Sequence, residues 1–205
     1  MITVSGFLMA LVALITWWSC NAFLPVVATG LASQAAAGLD RAAATHLAET
    51  WKATAGNWFN IGGLIGTLLT VPASKVLGRR TMFTMYFLAS GLAVLAAFGL
   101  PMDPHTRLYM YFPIGLSVFG VFGAFTYYLP ELYPTRLRGT GAGFCYNAGR
   151  LIAAIGPFIV GSVASRGAGA LGGALNVLFY VGFVPLAGLL VMPWVLETKG
   201  RELAD

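Results

Sequence analysis

One guanidinium stands alone in an apolar stretch. Arg150 is the single charge between Gly139 and Ser165. The stretch reads as a helix, and Arg150 lies about ten residues from its start, or roughly 15 Å at 1.5 Å per residue. That is near the middle of a hydrocarbon layer of about 30 Å. A guanidinium there costs at least roughly 2.5–3.5 kcal/mol unless it faces water or a partner. No Asp or Glu lies deep in any apolar stretch. The counter-charge must therefore be backbone carbonyls, a separate polypeptide or an anionic solute. The planar guanidinium fork matches a carboxylate in two-point contact, which favours a solute-binding or coupling role. The alternative is a hydrogen-bond anchor between helices. Tyr146 and Asn147 precede Arg150 by four and three residues and share its helix face.

The other polar or aromatic groups in apolar stretches are Trp17, Trp18 and Asn21, then Asn57, Trp58 and Asn60, then Tyr111, Tyr127 and Tyr128. Trp17 and Trp18 fall mid-stretch, away from the interface where membrane tryptophans concentrate. They suit stacking on a ring in a cavity, or ordinary packing. Asn21 and Asn60 suit solute contact, or bridging between helices. Arg150, Asn147, Tyr146, Asn21, Trp17 and Asn60 form the candidate solute-binding set. A second set lies at the ends of the stretches: Glu131, Arg136 and Arg138, with Arg79 and Arg80. Glu131 is expected to pair with Arg136 or Arg138 across a short loop, as a gate or as a static interfacial ion pair.

Enzyme chemistry has no foothold. Cys20 and Cys145 both fall in apolar stretches and read as small packing residues. His46 and His105 are isolated, so no metal-ligand spacing exists, and no nucleophile–base, P-loop or dinucleotide motif occurs. No metal or cofactor is expected. Gly62-Gly63-x-x-Gly66 and Gly139-x-Gly141-x-Gly143 read as close-packing surfaces of helices.

The elements that must position these residues follow from composition. Of 205 residues, 58% are hydrophobic and 9% charged, and mean hydropathy is +0.79. A soluble domain carries about 25% charged residues, so this is an integral membrane chain with the lipid bilayer as its solvent. The net charge of +5 is scattered through short loops rather than gathered on one face, so no nucleic-acid partner is implied. Spans of roughly 20 apolar residues predict six helices at about 5–32, 54–75, 81–100, 107–130, 139–165 and 172–195. Pro25 and Gly156-Pro157 are expected to kink or break their helices. The longest connection, Ser33 to Ala53, has room for structure of its own. With six spans the termini share one side. That side has seven loop Lys or Arg (Lys75, Arg79, Arg80, Arg136, Arg138, Lys199, Arg201), against four opposite (Arg41, Lys52, Arg107, Arg166). The excess predicts cytoplasmic termini. The N-terminus lacks a basic n-region and its apolar run is too long for a signal peptide, so the first helix is expected to remain in the mature chain.

Three loop segments carry a family resemblance: Gly78-Arg79-Arg80, then Glu131-Leu-Tyr133-Pro134-Thr-Arg136-Leu-Arg138-Gly139, then Glu197-Thr198-Lys199-Gly200-Arg201-Glu202-Leu203. Together they resemble the major facilitator superfamily, over essentially the whole chain. The last resembles the ending of its sugar-porter-like and organic-acid branches. Gly143-Phe-Cys-Tyr146-Asn147-x-Gly149-Arg150 resembles branches that move sialic, aromatic or muconic-type acids with protons. The resemblance implies an all-α membrane fold of two six-helix halves, of which this is the C-terminal one. Within it, two inverted three-helix repeats are implied, at about 5–101 and 107–196. The sequence departs from the family at Lys75, where an acid is common. The implied function is alternating-access transport of a small organic anion with a proton in the inner or plasma membrane. A neutral-sugar or drug transporter, or a non-transporting six-helix subunit, are the alternatives. The other wall of the solute path, and the proton-binding carboxylate, are expected from an N-terminal half or a second copy.

Overall fold

The computed structural model describes residues 2–156, 158–159, 162 and 169–201. Every regular element among them is helical. The reason is solvent: in hydrocarbon each backbone N–H and C=O needs a partner, and a helix supplies all of them within one segment. α1 (Ile2–Ala35) runs unbroken through Pro25, so the expected kink does not interrupt it. α2 (Arg41–Leu77) starts well before the expected residue 54. Asp40 caps it by accepting the Ala43 N–H at 2.7 Å. The connection anticipated from Ser33 to Ala53 is therefore mostly helix, and the turn before Asp40 uses Gly38 at φ +89°. The 37 residues of α2 span about 55 Å, well beyond the hydrocarbon thickness.

α3 (Arg79–Gly99) follows Gly78, whose φ of +89° turns the chain sharply. The fourth span, Pro104–Glu131, is segmented. α4 (Pro104–Tyr109) and α5 (Tyr111–Ile114) lead into a π-turn (Gly115–Phe119), and α6 (Phe122–Glu131) completes it. A 3₁₀ turn (Thr135–Leu137) connects to α7 (Arg138–Ala153), the start of the fifth helix. Pro157 and the far end expected to reach residue 165 lie outside the described residues. The sixth span comprises α8 (Ala170–Val181), α9 (Phe183–Gly188) and a closing 3₁₀ turn (Leu189–Trp194). Among the described residues, five helical segments are long and apolar enough to cross a membrane. With α7 they make the expected six-helix unit.

α1 packs along α2, α7 and α8, and α2 packs most closely on the π-turn. Glycine makes that approach possible. A methyl on Gly62 would overlap the Phe112 carbonyl, one on Gly66 the Leu116 carbonyl, and one on Gly115 the Phe59 carbonyl. The expected packing role of Gly62-Gly63-x-x-Gly66 is thus met. The second glycine group behaves differently. Gly141 seats the Tyr133 ring, but Gly139 and Gly143 face open space among the described residues. Two buried clusters fill the bundle. One centres on Phe23, Phe59, Tyr111 and Leu178, the other on Phe83, Phe87, Tyr128 and Cys145.

Candidate functional site

α1, the π-turn with its continuation into α6, and α7 enclose a cavity of about 290 Å³. Leu14, Trp17 and Trp18 come from α1, Phe119 and Phe122 from the fourth span, and Tyr146 and Arg150 from α7. The helical period explains the last pair, since residues four apart stand one above the other. The π-turn carries Phe119 at its last position, and Phe122 begins α6. Trp17 is held edge-to-face against Trp18, Phe119 and Phe122, with centroids 4.9, 5.8 and 6.0 Å apart. Tyr146 meets Phe122 edge-on at 6.3 Å. The indole Nε1 of Trp17 is buried with no acceptor among the described residues. Arg150 is exposed, and among the described residues the ion pairs are Lys52–Glu49 and Arg79–Glu131, neither involving it. Among the described residues, the cavity thus offers one cation without an ion-pair partner beside an aromatic wall.

The structure brings three of the six candidate solute residues together: Trp17, Tyr146 and Arg150. Asn147 is exposed and its Nδ2 donates to the Gly143 carbonyl of its own helix at 2.9 Å. Asn21 is half-buried and Asn60 exposed, and neither lines the cavity. Phe119 and Phe122 escaped sequence reasoning. Nothing in their spacing separates a cavity-lining phenylalanine from one that packs or meets lipid.

At one end of the bundle the three loop segments converge. Glu131 does not pair with Arg136 or Arg138. Its carboxylate instead takes the Arg79 fork, with Nη2 at 2.7 Å and Nε at 3.1 Å. The reason is position. Glu131 closes α6 beside the N-terminus of α3, whereas Arg136 lies exposed in the connecting turn. Arg79 sits 5.9 Å over the Tyr127 ring, and Thr198 Oγ1 donates to the Glu131 carboxylate. Arg80 is spent on backbone, donating to the Val195 carbonyl at 2.8 Å and to that of Pro193 at 3.2 Å.

Glu197 belongs to the third loop segment. It caps α3: its carboxylate accepts the N–H groups of Arg79 at 2.9 Å and Arg80 at 3.0 Å, and of Lys199 at 2.9 Å. A negative group at a helix N-terminus satisfies orphan donors and complements the helix dipole. Burial pushes its carboxyl upward, but these backbone donors and the Arg79 charge outweigh that and hold it below its ordinary value. Lys75, where the family resemblance implies an acid, is exposed. The network is built on Glu131 and Glu197 without it.

No family model matches the chain. It is 35% identical over 149 residues to solute carrier family 22 member 11 of Homo sapiens, a match covering 72% of this chain. It is 37% identical over 115 residues to the cis,cis-muconate transport protein of Acinetobacter baylyi, covering 53% of this chain. It is 29% identical over 145 residues to a probable 4-methylmuconolactone transporter of Cupriavidus pinatubonensis, covering 70%. The matches span 26%, 26% and 33% of those proteins' own lengths, about a quarter to a third. Among solved structures, the proton:xylose symporter XylE bound to 6-bromo-6-deoxy-D-glucose superposes with a TM-score of 0.67 at 18% identity. That superposition takes in 96% of this chain and 44% of the symporter.

Proposed function

Because the chain belongs to the major facilitator superfamily, we propose that it is the C-terminal six-helix half of a secondary transporter for a small organic anion. One observation carries this reading: Arg150 stands at an aromatic-walled cavity with no carboxylate beside it among the described residues. A carboxylate solute supplies the missing charge, and the guanidinium fork takes it in two-point contact. The aromatic walls suit a planar, unsaturated body. Two relatives are named for muconate and 4-methylmuconolactone, which agrees with that chemistry.

The transport cycle in this reading is alternating access, with helices one to three and four to six as inverted repeats. A neighbouring half, or a second copy, forms the other wall of the cavity. It also carries the proton-binding carboxylate, since no Asp or Glu of this chain lies deep in an apolar stretch. The Arg79–Glu131–Glu197 network lies on the cytoplasmic side, together with both termini, in the inner or plasma membrane. It locks the loops of this half into one rigid end. Arg136 and Arg138 then face the neighbouring half and hold the path shut in one state.

The test is solute affinity beside thermal stability, on the complete transporter in detergent with cis,cis-muconate as probe. Arg150→Ala should weaken binding by about 2–5 kcal/mol, the usual loss when one partner of a desolvated charge pair is removed. Arg150→Lys, which keeps the charge and loses the fork, should fall between. Unchanged affinity in a well-folded Arg150→Ala protein would sink the solute role. Lost stability with normal binding in the folded fraction would mark Arg150 as a helix anchor instead.

A further inference from the structure

A second concavity, about 510 Å³, lies between α2 and α3 against the π-turn of the fourth span. Its walls are carbon. α2 contributes Leu69, Ala73 and Val76, α3 contributes Met85 and Ala89, and Leu116 of the π-turn forms its floor. The spacing of 69, 73 and 76 is one helical face. These are not side chains turned inward, since Leu69 is 47% exposed, Val76 71% and Met85 53%. The groove begins beside the α2–α3 turn and follows α2 from Leu77 back to Leu69, eight residue steps. That run is about 12 Å, close to the roughly 15 Å of one leaflet of a 30 Å hydrocarbon layer.

Cations stand at its mouth. Lys199 Nζ donates to the carbonyl of Val76, a groove residue, at 2.8 Å. Lys75 is exposed one residue earlier. The nearby acids are engaged: Glu131 holds Arg79, and Glu197 holds the N–H groups of Arg79, Arg80 and Lys199. Arg80 is turned onto carbonyls of the sixth span's end. Among the described residues the mouth is therefore net positive, above a carbon-lined slot of leaflet depth. α3 packs on α2, the fourth span, α8 and α9. None of the residues lining the groove belongs to α1 or α7.

We propose that this groove is a binding site for an anionic phospholipid. One acyl chain lies between α2 and α3, and the headgroup phosphate sits on Lys199 and Lys75. The site is distinct from the Arg150 cavity but shares a wall with it. Leu116 floors the groove and Phe119, three residues on in the same π-turn, lines the cavity.

The experiment reconstitutes the full chain in vesicles of equal phosphatidylglycerol and phosphatidylcholine, extracts it in mild detergent and counts retained lipids by native mass spectrometry. Phosphatidylglycerol should be retained over phosphatidylcholine by at least about fivefold, the preference that each cation at a membrane surface provides. Lys199→Gln should reduce that ratio while leaving total retained lipid unchanged. Ala73→Phe should empty the groove of both lipids. Met85→Phe, on the exposed side of α3, is the second filling variant should Ala73→Phe fail to fold. Equal retention of the two lipids by the unaltered chain overturns the proposal. So does undiminished phosphatidylglycerol on a folded filling variant. Efficient cross-linking of Met85→Cys to a second polypeptide in the membrane also overturns it, because protein then covers the groove.

Discussion

Two carboxylates at one end of the bundle do different work. Glu131 takes the Arg79 fork with both side chains about one-sixth exposed, at 16% and 17%. A fully exposed pair contributes about 0–1 kcal/mol, while breaking a buried one costs about 3–5 kcal/mol. Glu131→Gln should accordingly destabilise by about 1–3 kcal/mol, read as a lower thermal midpoint in detergent. Arg79→Lys should recover little of the wild-type value, since an ammonium cannot make both contacts. An unchanged midpoint in both variants would reduce the pair to a surface contact. Glu197 acts through protonation. Its carboxyl lies below the ordinary range in the folded chain because backbone N–H groups favour its charged form despite burial. Its contribution is complete above the unfolded carboxylate value of about 4.3 and fades as pH falls through the lower, folded one. Solvent exposure keeps the effect modest. Wild-type stability should drop between about pH 5 and pH 3, and Glu197→Gln should flatten that slope. Equal slopes in the two proteins would remove Glu197 from the acid response.

At the scale of elements, the contact between α2 and the fourth span is backbone against backbone. Gly66 lies so near the fourth span that a Cβ added at Gly120 would stand 2.7 Å from its Cα. A larger residue forces the helices apart and disturbs the π-turn that holds Phe119 at the cavity. Overpacking typically costs about 1–3 kcal/mol. Gly66→Val should reach at least that, with weaker solute binding as well. Gly143→Ala should be silent, because nothing among the described residues outside its own helix backbone lies within 4 Å of a methyl there. Melting curves of the two variants decide the matter, and equal midpoints would contradict the packing role. α2 also shows why boundaries escaped the sequence. Apolar content locates the part of a helix inside lipid, whereas Asp40 capping lets the same helix continue into water.

At the scale of the whole molecule, the cavity has walls from three elements, and the half-transporter reading assigns a further wall to another six-helix half. Purified alone in vesicles, this 205-residue chain should not take up muconate as a monomer. Co-expression with an N-terminal six-helix half should restore uptake. Transport by a dimer of this chain would assign the second wall to another copy. Transport by the monomer would contradict the half-transporter reading outright. Accessibility of a tag after Asp205 and of a cysteine at Arg136 should report the same side, and opposite sides would overturn the proposed topology.

The sequence by itself determined the solvent, the helical class, the number of spans and the family. Those depend on composition, apolar run length and short loop motifs, which are local quantities. It also singled out Arg150, because one charge in a long apolar run is costly wherever the run folds. Only the tertiary structure decided which groups meet. Glu131 chooses Arg79, 52 residues away, over Arg136 five residues on, because helix ends and not chain distance set the neighbours of a loop carboxylate. Trp17 reaches the Arg150 cavity while Asn21 and Asn60 do not, because the rotation of each helix about its axis is set by packing. In α2 that packing is the glycine contact with the fourth span. The π-turn and the lipid-facing groove left no mark in the pattern, since both arise where several apolar surfaces meet and periodicity describes one helix at a time.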